Sequence, residues 1–343
     1  MRDTMLAAVL HQAGPPDVFS IEDVPVPAPG AGELLVKVEA CGVSYRDVVE
    51  RNGTYRRDVV FPTIPGLEIS GTVVALGPGA TGFAPGDHVC TKAFISCGHC
   101  RLCRNGRETT CWARRPVRGG YAEYVALPQD AFVRVPGELP FEVSCSLGPG
   151  AGVALNAVRD VAKVRIGETV LVTGASGGVG MPAVQIARAS GARVIAVSRS
   201  EEKRALLERL GAHEVIVDPT GRAFAEEARR LTGGDGVDVV IDNVGSRVFG
   251  ACFDSLAVHG RYAMVGQLFG ENISINPARI FFKRAQILGV GSVSRTQLED
   301  VVALALAGVV TPEIAELVPL REVARAHAIV EGGAAAGRLV LKP

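Results

Sequence analysis

The stretch Thr169-Val-Leu-Val-Thr173, followed by Gly174-Ala-Ser-Gly-Gly-Val-Gly180, constrains this chain more than any other segment. A fully apolar strand can leave neither face in water, so it belongs inside a sheet covered on both sides. The Gly-rich turn opens a stretch of helical spacing from Val179 to Ser190, and Arg193-Val-Ile-Ala-Val197 follows as the next strand. The alternation continues through a helix from Glu201 to Leu210 and the strands Val215–Val217, Val237–Ile241 and Arg261–Val265. Such strand–helix repetition predicts a doubly wound parallel sheet. Before about residue 140 the pattern differs. Short β-like runs at Glu33–Glu39, Ile69–Ala75 and Tyr121–Ala126 stand between Gly and Pro turns, which predicts twisted antiparallel strands. The last strand, Arg338–Leu341, is expected to return to this first domain. The fold class is therefore α/β, with two domains in 343 residues.

The glycine turn predicts a dinucleotide site. Tight glycine turns bring backbone N–H groups to a pyrophosphate at a helix N-terminus, where the helix dipole favours negative charge. Gly174, Ala175, Ser176, Gly177, Gly178, Val179 and Gly180 are the candidate contacts; the bland alternative is a structural turn. The end of the second strand discriminates between cofactors. An NAD site usually places a carboxylate there for the ribose 2′-hydroxyl. This chain has Ser198-Arg199-Ser200, with Lys203 one turn on. Arg199 and Lys203 suit a 2′-phosphate and Ser198 can bond to it, so NADPH is expected. The alternative is that both are solvated surface cations.

Cys97, Cys100, Cys103 and Cys111 have the spacing C-x2-C-x2-C-x7-C. Four thiolates on one loop close a tetrahedron and leave no open position, which suits one structural Zn2+ per chain. His99 is read as exposed, because the thiolates saturate the metal. Cys41, Cys90, Cys145 and Cys252 lie among apolar neighbours and are expected to be buried thiols.

Lys+Arg and Asp+Glu are 36 each, so bulk charge excludes a strongly basic nucleic-acid binder. The first apolar run, Met5–Leu10, is too short for a signal-peptide core, and nothing reads as a membrane span. The expectation is a cytoplasmic protein with a small-molecule substrate, bound to neither nucleic acid nor membrane. A binder remains as the different class. The cysteine lobe carries Arg101, Arg104, Arg107, Arg114, Arg115 and Arg118, but only Trp112 and Tyr121 as nearby aromatics.

Further segments add to these: Pro27-Ala-Pro-Gly30-Ala-Gly-Glu33-Leu-Leu-Val36, Cys41-Gly-Val-Ser-Tyr-Arg-Asp47, Pro65-Gly-Leu-Glu-Ile-Ser-Gly71, Pro85-Gly-Asp-His-Val89 and Gly337-Arg-Leu-Val-Leu-Lys-Pro343. Together the chain resembles the medium-chain dehydrogenase/reductase superfamily of zinc-type alcohol dehydrogenases and quinone oxidoreductases. The resemblance implies a GroES-like β-rich catalytic domain at 1–145 with the zinc lobe. It implies a Rossmann NADP-binding domain at 146–287 and a return segment at 288–343 that completes the catalytic domain. It also implies a homo-oligomer, dimer or tetramer. Where the alcohol dehydrogenases hold a second, catalytic zinc, this chain has Ser44, Leu67 and Pro149. Leu and Pro offer no donor and Ser is a poor one, so no catalytic zinc is expected.

Ser44-Tyr-Arg-Asp47 followed by Asn52-Gly-Thr-Tyr55 is most similar to the acryloyl-CoA reductase branch. That resemblance implies NADPH-dependent reduction of the C=C bond of an α,β-unsaturated carbonyl compound, an enoyl (acryloyl-like) CoA thioester. Tyr55 inherits the role of proton donor, with water, Ser44 or Tyr45 next in line. Tyr45 and Arg46 would lie by cofactor and carbonyl, although Arg46 reads equally as a buried partner of Asp47 or Glu68. Arg51, Arg56, Arg57, Arg114, Arg115 and Arg118 are candidate phosphate contacts for CoA. The enzyme alternatives are a quinone/enone oxidoreductase and a zinc-dependent alcohol dehydrogenase.

Overall fold

The computed structural model describes residues 3–54, 58–333 and 335–343. The chain folds as two units. One holds residues up to Pro149 with Val293–Leu306 and Pro312–Pro343, and the other holds Gly150–Ser292 with Ala307–Thr311.

In the first unit the long strand Glu33–Gly42 is the centre. Glu68–Leu76 pairs along its length, Tyr124–Pro128 pairs with its first half, and Arg338–Lys342 pairs with its end at Cys41 and Gly42. All three pairings are antiparallel. His88–Thr91 and Phe132–Arg134 extend one side, and Ile314–Pro319 extends the other. A hairpin of Thr4–Leu10 and Phe19–Pro25 stands apart from this sheet. The expected strand at Tyr121–Ala126 is divided. Its first residues bridge the hairpin, with the Ala8 N–H donating to Tyr121 O at 2.8 Å, and only Tyr124 onward joins the sheet. The core gathers Leu34, Val36, Ile69, Phe94, Tyr121, Phe132 and Leu341, drawn from strands far apart in sequence.

The second unit has six parallel strands. Their spatial order is Glu214–Val217, Arg193–Ser198, Thr169–Thr173, Val237–Asp242, Leu256–Met264, Gln286–Gly289. Val170, Leu171 and Val172 have no exposure, as an internal strand requires. The helix Gly180–Ala189 buries every residue from Gly180 to Ala187. The expected helix from Glu201 opens as a 3-10 turn, Glu201–Lys203, and becomes α-helical only over Arg204–Arg209. Strand order reverses between Thr169–Thr173 and Val237–Asp242, and ligands of such sheets bind at the carboxyl ends beside that reversal.

The boundaries differ slightly from those expected after residues 145 and 287. Cys145 is buried against Ala40 and Val340, which keeps its segment in the first unit. Gln286–Gly289 is a strand of the second sheet, so the crossing comes only after Ser292. Thr311 also returns to the second unit, where Gln185 Nε2 donates to its Oγ1 at 2.7 Å. Among the described residues, no helix is long and apolar enough to cross a membrane.

Candidate functional site

The turn after Thr169–Thr173 is closed by backbone contact. Gly174 has φ +56°, and the Gly177 N–H donates to its carbonyl at 2.9 Å. A Cβ at Gly180 would lie 2.1 Å from that carbonyl, so only glycine fits there. Ala175 is buried, Gly177 is exposed, and Ser176, Gly178 and Val179 are half-buried. No side chain caps the helix that starts at Gly180; the Met181 N–H is taken by Gly177 O at 3.1 Å and Pro182 has none, so any backbone donors for a ligand belong to the turn before it.

Under the turn lies a node that the sequence reading missed. Asp242 has no exposure and accepts Thr173 Oγ1 and Tyr262 Oη, both at 2.6 Å. It also accepts the N–H groups of Val244 and Gly245 at 2.9–3.2 Å. One carboxylate thereby ties together the ends of the two strands at the order reversal. Its signal in the sequence is the second Asp of Val237-Asp-Val-Val-Ile-Asp242, at the carboxyl end of the strand.

At the end of Arg193–Ser198, Arg199 is exposed and Lys203 half-buried. Burial, and then Arg199, push the Lys203 ammonium below its ordinary value. The two cations therefore act on each other, with Glu202 offsetting part of the effect. Ser198 Oγ is engaged within the turn, donating to Ser200 O at 3.0 Å and accepting the Ser200 N–H at 3.2 Å.

In the first unit the helix Tyr45–Arg51 and its N-cap Ser44 carry three of the four expected catalytic residues. Ser44 is its N-cap in a reciprocal box with Asp47. Ser44 Oγ donates to Asp47 Oδ2 at 2.6 Å, so this hydroxyl is held by a buried carboxylate. Burial pushes the Asp47 carboxyl above its usual range. Tyr45 is half-buried. Arg46 forms an ion pair with Glu50. Its Nε and Nη2 both donate to Glu50 Oε1 at 3.0 Å, because Glu50 lies one helical turn on. Arg118 Nε reaches the other oxygen of Glu50, also at 3.0 Å. Glu68 pairs with Arg338 from the last strand. Tyr55, Arg56 and Arg57 lie outside the described residues. Arg51 is corrected as a phosphate contact: it has no exposure, and its Nη2 donates to Glu331 at 2.7 Å.

The four cysteines of the lobe come together. Their sulfurs all lie within 4.8 Å of one another, with separations of 3.5 Å for Cys100–Cys103 and Cys97–Cys111, 3.9 Å for Cys100–Cys111 and 4.0 Å for Cys97–Cys103. Four sulfurs about 2.3 Å from one zinc stand about 3.8 Å apart in a regular tetrahedron, so the donor set fits that ion. Backbone N–H groups hold the Cys97 thiol down and the Cys100 thiol at about 6, which favours thiolates. Desolvation, and then the neighbouring Cys100 thiol, push Cys103 up to about 12. His99 is exposed, with its ring nitrogen 2.7 Å from Cys97 O. Cys41, Cys90, Cys145 and Cys252 are buried and unpaired with each other.

The lobe is fastened by a buried lysine that the sequence reading passed over. Lys92 Nζ donates to Asp130 at 3.1 Å and to Glu108 at 3.3 Å, and Glu108 lies between the third and fourth cysteines. A lone Lys in the run Val89-Cys-Thr-Lys-Ala-Phe94 was its signal.

Comparison with known proteins agrees with this layout. Residues 30–137 match the alcohol dehydrogenase GroES-like domain and residues 178–307 the zinc-binding dehydrogenase family. The chain is 32% identical over 335 residues to acryloyl-coenzyme A reductase of Sulfurisphaera tokodaii, covering 96% of this chain and 98% of that protein. It is also 32% identical over 345 residues to quinone oxidoreductase of Homo sapiens, covering 98% and 97%. The crystal structure of AibC superposes with a TM-score of 0.94 at 41% identity, covering 100% of this chain and 97% of that one. The chain accordingly belongs to the medium-chain dehydrogenase/reductase superfamily, as an oxidoreductase with a GroES-like domain and a Rossmann domain.

Proposed function

We propose that this protein reduces the C=C bond of an α,β-unsaturated carbonyl compound with NADPH, that the compound is an enoyl (acryloyl-like) CoA thioester, and that no catalytic zinc takes part. The observation that carries the reading is the donor chemistry at the catalytic-metal positions of alcohol dehydrogenases. Leu67 and Pro149 have no ligand atom, and the Ser44 hydroxyl is bonded to Asp47. Reduction of a polarised C=C bond needs aimed hydrogen bonds to an enolate more than a Lewis acid. The likeness to an acryloyl-coenzyme A reductase supports the same class.

When bound, the nicotinamide supplies the hydride that adds to the β-carbon. The glycine turn before the helix at Gly180 would hold the pyrophosphate, and Arg199 with Lys203 the 2′-phosphate. Tyr55 is assigned as the acid that protonates the α-carbon. Arg46, kept in place by Glu50, is assigned with Tyr45 to the carbonyl side. Cys97, Cys100, Cys103 and Cys111 would hold one structural zinc, which takes no part in the chemistry.

The test is NADPH oxidation measured over enoyl-CoA esters, free enones, quinones and aldehydes. Preference for enoyl-CoA supports the reading. Preference for a quinone would install the second reading, which the equal likeness to human quinone oxidoreductase favours.

A further inference from the structure

Many of the described arginines are spent on partners. Arg46 and Arg118 share Glu50, Arg51 takes Glu331, and Arg204, Arg230 and Arg325 pair with nearby glutamates. The cysteine lobe breaks that habit. Arg101, Arg104, Arg107 and Arg115 are exposed, and among the described residues their side chains meet no carboxylate and no other acceptor. Residues 97–118 hold six arginines and one carboxylate, Glu108, which is already bonded to Lys92 and to the Arg295 N–H. Even with the negative charge of a zinc tetrathiolate, the lobe stays cationic. On it stands Trp112, 72% exposed and the chain's single tryptophan. An indole left this bare costs apolar hydration with no gain in packing.

This face runs on to the candidate catalytic helix within the same unit. Arg115–Pro116 pairs with Phe94–Ile95, and Ala93 O accepts Arg46 Nη1 at 3.4 Å. Three residues past Arg115, Arg118 bonds the same Glu50 that holds Arg46.

We infer that Trp112 with Arg101, Arg104, Arg107 and Arg115 forms the site for the nucleotide end of the thioester substrate, the 3′-phosphorylated adenosine diphosphate of CoA. The inference rests on the thioester reading above. Guanidinium forks match phosphate oxygens, and an exposed indole offers a face on which adenine stacks. A nucleic acid strand shares that chemistry. However, one exposed aromatic gives no track for successive bases, and the chain as a whole has no net charge. The face therefore suits one nucleotide rather than a strand. Arg51 and Arg118, committed to Glu331 and Glu50, are not part of it.

The sole tryptophan makes the test direct. Adenosine 3′,5′-bisphosphate and CoA should quench its fluorescence saturably, and added salt should weaken both. Dephospho-CoA should bind several-fold more weakly than CoA. In Arg101→Ala/Arg104→Ala and in Arg115→Ala, the affinity for adenosine 3′,5′-bisphosphate should fall several-fold. The kcat/KM ratio of an enoyl-CoA to the same enoyl ester of N-acetylcysteamine should fall with it. Arg115 lies outside the cysteine loop, so its variant still reads the site if the double variant loses zinc. Absence of quenching, or an unchanged ratio in Arg115→Ala, overturns the site and leaves the thioester reading standing. Failure of the wild-type enzyme to turn over either thioester overturns that reading, and the site with it. Tighter quenching by poly(U) than by CoA would make this a nucleic-acid face and refute the inference.

Discussion

His327 gives the sharpest prediction about stability. Its side chain has no exposure, Phe19 meets its ring at 4.8 Å, and its Nε2 lies 3.1 Å from the Tyr121 hydroxyl. Nδ1 is buried without a partner. Burial, helped by Arg51, holds the imidazole neutral down to about 3. The unfolded chain takes up that proton near 6.5. Between those limits the unfolded state binds one proton more than the folded state. Stability contributed by the neutral ring is therefore complete above about pH 6.5 and falls with decreasing pH by about 1.4 kcal/mol per unit. From pH 6.5 to 5 the loss is about 2 kcal/mol, a large share of a typical margin of about 5–15 kcal/mol. Urea denaturation of wild type and His327→Gln at pH 7, 6 and 5 isolates this one group, because all other titrations are common to both. The glutamine variant should be less stable at pH 7 by about 1–3 kcal/mol, the cost of a buried amide donor left without a partner. That gap should close by about 2 kcal/mol at pH 5. Parallel curves across the range would refute the reasoning.

Four other outcomes follow from the site. Elemental analysis should find one zinc per chain, and Cys103→Ser should bind it more weakly and melt earlier, since three thiolates close the tetrahedron poorly; two zincs per chain would contradict the single-metal assignment. Arg199→Ala should lose about 10-fold of NADPH-over-NADH preference in kcat/KM, the low end for a charged contact because Arg199 is exposed; an unchanged preference would place the 2′-phosphate elsewhere. Tyr55→Phe should lower kcat by about 10²–10⁴ with little change in NADPH affinity, as removal of a general acid does; a near-wild-type kcat with chemistry limiting would remove Tyr55 from the mechanism. Glu50→Gln strips the shared charge from Arg46 and Arg118 at a side chain only 4% exposed, and should cost about 3–5 kcal/mol in urea denaturation; a loss below about 1 kcal/mol would mean that water already screens the pair.

Some features of this protein were determined locally. The apolar run Thr169–Thr173 demanded a strand covered on both faces, and the glycines after it demanded a turn that no larger residue fits. The cysteines sit so close along one loop that their meeting needed little help from the rest of the fold. Period, backbone freedom and short loop length act within a few residues, so they can be read along the chain. Charge pairing cannot, because each cation has many possible acids and only packing selects one. Arg51, which as a sequence looks like a free phosphate contact, meets Glu331 across 280 positions. Tyr121 meets His327 across 206. Arg46 hydrogen-bonds to Glu50 one helical turn on, while Asp47 is turned back to cap the helix through Ser44. Burial then raises the stakes of each choice, since a charge removed from water must take whatever partner the tertiary structure brings within reach.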